Sequence, residues 1–228
     1  MSTPKNTKQI KTSGYVLRRT NYGEADRILN IITPVGKISA VARGVRKAKS
    51  KLAGNIELFT LSDYIIHLGR GELGTITSAK MVKYYGGILK DYYRMEFAGE
   101  ILKQINKYAE NSDAIEYFQI VEECFEALDN MVNLGLIEAW FNLNVSKAIG
   151  EEPNFYRDIA GEKLSAESRY DWNVVERAFM VNENGKFGAD EIKILRLIMT
   201  TKLDLIKRIK GIEEKIPDIL WISRVMIK

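Results

Sequence analysis

The stretch Arg27-Ile28-Leu29-Asn30-Ile31-Ile32-Thr33-Pro34-Val35-Gly36-Lys37-Ile38-Ser39-Ala40-Val41-Ala42-Arg43 reads as two short strands around a stop. Branched side chains crowd both halves, and these fit a pleated, half-buried surface. Pro34-Val35-Gly36 ends the first strand and Gly44 ends the second. Upstream, Ser13-Gly14-Tyr15-Val16-Leu17-Arg18 is equally β-rich and runs into the turn-prone Asn21-Tyr22-Gly23. Downstream, Ile56 to Leu68 alternates: Leu58, Thr60, Ser62, Tyr64 and Ile66 fall on one face, and Phe59, Leu61, Asp63, Ile65 and His67 on the other. Gly69-Arg70-Gly71 is a turn, and Glu72 to Val82 is a fifth strand. Five short, turn-punctuated strands predict a small closed barrel, for which the OB-fold is the commonest five-strand solution. Gly23, Gly36, Gly44 and Gly54 read as turn residues with positive φ.

After Gly86-Gly87 the period changes from 2 to 3.6. Phe97, Ile101, Ile105 and Tyr108 form one helical stripe. Ile115, Phe118, Phe125, Leu128 and Val132 form another, after the cap-like Asn111-Ser112-Asp113. Leu134 to Ile149 is apolar nearly all round, as expected of a helix at the centre of a bundle, and Gly150 and Pro153 end it. Between Glu151 and Gly188, Tyr170-Asp171-Trp172 and Phe179-Met180-Val181 look extended, and Asn182-Glu183-Asn184-Gly185 reads as a hairpin turn. Helix returns at Ala189 with Ile192, Leu195, Met199, Leu205 and Ile209 inward, and Pro217 is expected to open a short final helix. The fold class is therefore α+β in two domains. Residues 1–84 form the barrel and 85–228 a mainly helical domain with an extended insertion at about 154–188.

Charge is lopsided along the 228 residues. Residues 1–80 hold 14 Lys and Arg against 5 Asp and Glu, a net +9, and the remainder carries −5, which together give the whole chain's +4. The front's densest point is Arg43-Gly44-Val45-Arg46-Lys47-Ala48-Lys49-Ser50-Lys51, five cations with no acid. Such a run attracts a polyanion chiefly by displacing its condensed counterions. Tyr15, Tyr22, Phe59 and Tyr64 read as core rather than as stacking platforms, so Arg and Lys carry the affinity.

The same composition excludes much chemistry. One Cys (Cys124) and one His (His67) allow no internal disulfide and cannot close a tetrahedral metal site, so no cofactor is expected. No phosphate-cradling glycine loop or dinucleotide fingerprint occurs, and the carboxylates are scattered, so no enzyme is expected. No apolar run approaches a membrane span and the N-terminus is polar and basic, which points to the cytoplasm.

The segments Gly14-Tyr15-Val16-Leu17-Arg18, Tyr22-Gly23-Glu24-Ala25-Asp26-Arg27-Ile28-Leu29, Gly36 to Gly44, Ser50-Lys51-Leu52-Ala53-Gly54 and Gly69-Arg70-Gly71-Glu72-Leu73 recur in one order. In that order they resemble the bacterial recombination mediator RecO family across roughly residues 12–80. The resemblance implies an N-terminal OB-fold and a helical domain, a cytoplasmic, nucleoid-associated protein, binding to single- and double-stranded DNA, annealing of complementary strands, and help in loading a recombinase for repair. It implies two protein partners, a RecR-type mediator and the tail of the single-strand-binding protein. Many members carry a four-cysteine zinc element, whereas the corresponding stretch here, about Asn154 to Phe187, has no cysteine. The chain therefore resembles a metal-free version, with Trp172 and Phe179 filling the core there.

Residues expected to contact nucleic acid are Arg18, Arg19, Arg27, Arg43, Arg46, Lys47, Lys49, Lys51 and Arg70. For an acidic, hydrophobic-ended peptide the candidates are Lys202, Ile206, Lys207, Ile209 and Lys210 on the basic C-terminal segment. Two other classes stay open at this point: a protein-docking adaptor whose barrel is charged for solubility, and a single-stranded RNA binder.

Overall fold

Strand β1 (Lys8–Tyr22) is much longer than its β-rich centre, and its length organises the first unit. Its first half, from Lys8 to Tyr15, pairs with β4 (Thr60–Leu68). Its second half, from Tyr15 to Tyr22, pairs with β2 (Asp26–Thr33). A register shift between Val16 and Arg18 bends the strand from one partner to the other. With β3 (Gly36–Ala42) and β5 (Gly74–Tyr84) the strands close in the order β1-β2-β3-β5-β4. All pairs are antiparallel except β3 with β5, which meet in parallel at Ala40–Gly74 and Val41–Thr75. In this computed structural model, which describes residues 8–69, 71, 73–109 and 115–227, the first part is thus the expected OB-type barrel followed by helices.

The barrel interior holds Val16, Leu29, Ile31, Ala40, Ala42, Tyr64, Ile66 and Ile76, the inward members of each alternating strand. Gly14 is required by packing: a Cβ there would stand 2.6 Å from Ile31 Cγ2 and 2.8 Å from the Ile32 carbonyl. Gly23, Gly36 and Gly44 have the positive φ expected of them. Gly54 does not, because it sits inside a one-turn 3₁₀ helix, Ala53–Asn55. The strand expected from Ile56 begins instead at Thr60. Ile56 is wholly buried as a core plug, and Phe59 takes φ 59°, which breaks the extended run.

Among the described residues, two α-helices complete this unit, which spans residues 1–129. Helix α1 (Tyr92–Tyr108) is capped by the Asp91 side chain, which accepts from Arg94 N at 2.9 Å, and it buries Ala98, Ile101, Leu102 and Ile105. Helix α2 (Ile115–Asp129) buries Phe118, Val121, Phe125 and Leu128, while Ile115 stays exposed. The expected cap Asn111-Ser112-Asp113 lies outside the described residues. Tyr15 on β1 points out of the barrel into α2, with ring centroids 5.3 Å from Phe118 and 5.6 Å from Phe125. Asn30 on β2 donates to Asn106 of α1 at 2.9 Å, and Lys37 on β3 donates to the Asn106 carbonyl at 2.9 Å. The end of α1 thus covers part of the outer face of β2 and β3.

The second unit, residues 130–228, centres on α3 (Leu134–Ala148), whose Leu136, Ile137, Phe141 and Leu143 are buried against α4 (Ala189–Thr200) and α6 (Ile212–Met226). Its sheet has the order β6-β8-β7, from β6 (Asn154–Asp158), β7 (Tyr170–Asn173) and β8 (Ala178–Val181). The two extended segments expected here are strands. The hairpin turn between them is Val174–Arg177, however, and Asn182 to Gly185 leads from β8 to Phe187, which bridges Tyr170 on the other side of β7.

The helical period does not continue past Thr200. Thr201 and Lys202 are extended, Leu203–Ile206 is a single turn (α5), and Leu205 is exposed rather than inward. Thr200 donates its hydroxyl back to the Arg196 carbonyl at 3.0 Å, a pairing that competes with the helix's own ladder at its end. Pro217 does not open the last helix. Gly211, at φ 77°, precedes its start at Ile212, and Pro217 lies exposed inside it, where a missing N–H costs one ladder bond.

Candidate nucleic-acid interface

The basic loop is held as a shaped surface. Gly44, at φ 62°, turns the chain out of β3, and its N–H is fixed by the Asp26 carboxylate at 2.7 Å. Val45 is 2% exposed and belongs to the barrel core, so it anchors the loop. Arg46 N donates to the Ala25 carbonyl at 2.9 Å and Arg46 Nη1 to the Gly23 carbonyl at 3.3 Å, which lays the loop against the β1–β2 turn. Lys47 N to the Gly44 carbonyl (3.1 Å), Ser50 N to the Lys47 carbonyl (3.0 Å) and Asn55 Nδ2 to the Lys51 carbonyl (3.0 Å) fold the rest back on itself. Much of the loop's backbone is held by these internal bonds, and the side chains of Arg43, Arg46, Lys47, Lys49 and Lys51 are all exposed.

The flanking residues divide. Arg18 is exposed on β1, one residue beyond the bend. Arg19 is half-buried and paired with Glu57, so its charge is compensated. Arg27 is half-buried and donates to Asn21 Oδ1 at 3.1 Å. Arg70 lies outside the described residues. The loop and Arg18 therefore form the exposed set, while Arg19 and Arg27 tie down their own surroundings. Tyr15 and Tyr64 are core as expected, at 0% and 1% exposure, and Phe59 packs on Phe125 with centroids 5.8 Å apart. Tyr22 differs: it is 56% exposed at the end of β1, beside the turn that Arg46 grips. The signal in the sequence was its place directly before Gly23, where the alternation of a strand no longer decides which way a side chain faces.

The peptide candidates are dispersed by the break at Thr201. Lys202 and Lys210 are exposed, Ile206 is 1% exposed in the core, and Ile209 is half-buried. Lys207 and Arg208 each pair with Asp204 at 2.5 Å. The two helical faces expected for 202–210 are therefore absent, because only Leu203–Ile206 is helical.

Where the resemblance would place zinc, the sheet turns aromatic rings inward. Phe179 lies 5.0 Å from Trp172, 5.6 Å from Phe187, 5.9 Å from Tyr170 and 6.0 Å from Phe155. No thiolate is within this element, since the chain's single cysteine is Cys124 in α2. These residues do not fit a zinc ion. Burial pushes the Cys124 thiol well above its usual range, which keeps it protonated and inert. No described helix is long and apolar enough to cross a membrane.

Comparison with known proteins divides the chain between residues 85 and 89, ahead of α1, and not at the boundary between the two units. Residues 7–85 match the family model for the recombination protein O N terminal part, and residues 89–228 that for its C terminal part. A DNA repair protein RecO of Dehalococcoides mccartyi is 32% identical over 166 residues, 71% of this chain and 64% of that protein. That of Roseiflexus is 33% identical over 154 residues, 66% of this chain and 53% of its own length, so the chain spans less than two thirds of these two relatives. That of Listeria monocytogenes is 26% identical over 230 residues, 95% of this chain and 86% of the relative. Matched by both family models over nearly its whole length, the chain belongs to the recombination protein O family.

Proposed function

We propose that this chain is a DNA-binding repair mediator, with no catalysis of its own, that holds single- and double-stranded DNA on the barrel. One observation carries the reading: five exposed cations, on a loop pinned by Val45 and by the β1–β2 turn, beside which the ring of Tyr22 is exposed. Lysine and arginine neutralise phosphates with little regard to sequence, and an exposed ring stacks on any base. Membership of the family supports extending the reading to annealing of complementary strands and assistance to a recombinase, with a RecR-type mediator and the single-strand-binding protein's tail as partners. In this reading residues 1–84 bind nucleic acid and residues 85–228 serve protein contacts.

The experiment is a salt series of single-strand binding with the full chain and its R46E/K47E/K49E variant. The variant should bind more weakly at every sequence tested, and its log Kd against log salt slope should flatten by about 0.7 per lost contact. A folded variant with an unchanged slope overturns the assignment.

A further inference from the structure

The barrel has a second wall with the same chemistry. Because the strand order closes β4 onto β1, β4 stands across the barrel from β2 and β3. Tyr64 and Ile66 point into the core, so Asp63 and Ile65, which alternate with them, face out. Residues paired across strands share a face, which sets two outward rows: Ser13–Asp63–Lys80 and Lys11–Ile65–Ser78. Between them runs an open groove of about 430 Å³ lined by these side chains.

Its chemistry is that of a phosphate seat. Lys11 and Lys80 are exposed at its two sides, and among the described residues neither forms an ion pair. The Ser78 hydroxyl lines it, and such a group, with lysines, makes backbone contacts to nucleic acids. Its one acid, Asp63, accepts a hydrogen bond from Ser13 Oγ at 2.6 Å and keeps its charge, which the two lysines outweigh. Ile65 is its only aliphatic side chain, and Tyr64, the one ring that borders it, is buried in the barrel core, so little apolar surface is open to a hydrophobic-ended acidic peptide.

We infer that the outer wall of β1, β4 and β5 is a second polynucleotide-backbone site, so that one chain holds two nucleic-acid segments on one barrel. The inference rests on the reading above for the class of its ligand, though not on the basic loop. With no exposed aromatic lining the groove, binding there is through phosphates and indifferent to base sequence.

The test uses the full chain and thymidine homopolymers of about 25 nucleotides, which cannot pair with one another. Native mass spectrometry counts strands per chain, and donor- and acceptor-labelled strands report their approach. The wild-type chain should carry two strands. K11E/K80E should bind the first within about twofold of wild type and the second about tenfold more weakly. Should that variant fail to fold by circular dichroism, K11Q/K80Q takes its place, with the same loss expected to a smaller degree. A folded variant that still carries two strands, or a wild-type chain that never carries more than one, overturns the proposal. So does a glutamate-rich peptide that saturates the wild type and is lost in K11E/K80E while strand count stays unchanged, which assigns the groove to a protein partner. If R46E/K47E/K49E binds its first strand normally while K11E/K80E loses one, the loop assignment fails and the groove stands.

Discussion

Gly14 is the residue at which the barrel tolerates least. Its neighbours on β2 leave no room for a methyl group, and one of them is a backbone oxygen that cannot rotate away. Gly14→Ala should lower stability by about 1–3 kcal/mol, read as a fall in melting temperature, and a variant as stable as wild type contradicts the packing. Glu191 supplies a pH signature. Burial alone would raise its pKa, but Lys215 Nζ at 2.6 Å and the Gly188 N–H at 2.8 Å stabilise the charged form and hold it below the usual carboxylate range. A group depressed on folding stabilises above its unfolded pKa of about 4.3 and loses that contribution as pH falls through the folded value. Stability should therefore decline below about pH 4.3, and Glu191→Gln should flatten the decline in acid-unfolding curves. Cys124, buried with a raised pKa, should resist a disulfide reagent at pH 8 in the native chain and react only on unfolding.

Among the elements, the small sheet of the second unit is the most distinctive. A four-thiolate metal cross-links loops by coordination, whereas here Phe155, Trp172, Phe179 and Phe187 do so by ring contacts around a fully buried Phe179. Phe179→Ala should cost about 3–5 kcal/mol, while a chelator should leave the melting temperature unchanged. A large drop with chelator would contradict the aromatic core. Helix α2 is the comparable keystone of the first unit. Tyr85 OH meets Tyr15 OH at 3.0 Å and the Glu126 carboxylate at 3.3 Å, and Lys83 closes the set on Glu126 at 2.6 Å. Burial first, then this bonding, pushes the Tyr15 hydroxyl well above its ordinary range, so it stays neutral at any working pH.

For the whole molecule, the basic front sets the conditions under which binding is measured. With four or five phosphate contacts from the loop and Arg18, single-strand affinity should fall about a hundredfold between 50 and 200 mM salt. Measured across that range, a loss under threefold would place the affinity in stacking or apolar contact instead.

Binary pattern, turn residues and charge were enough to write down five strands, a helical remainder and the basic loop, because alternation and helical period are local properties of the chain. Which residues the fold leaves free was decided in three dimensions. Arg19 and Arg27 look like Arg18 in one dimension, but Glu57 and Asn21 reach them only once the barrel closes. Tyr22 escapes the core because its strand ends there, and the helix expected through 209 stops where Thr200 bonds back to Arg196. The Lys11–Lys80 groove is assembled from residues about 70 apart in sequence, since antiparallel pairing of β4 with both β1 and β5 is what brings them to one wall.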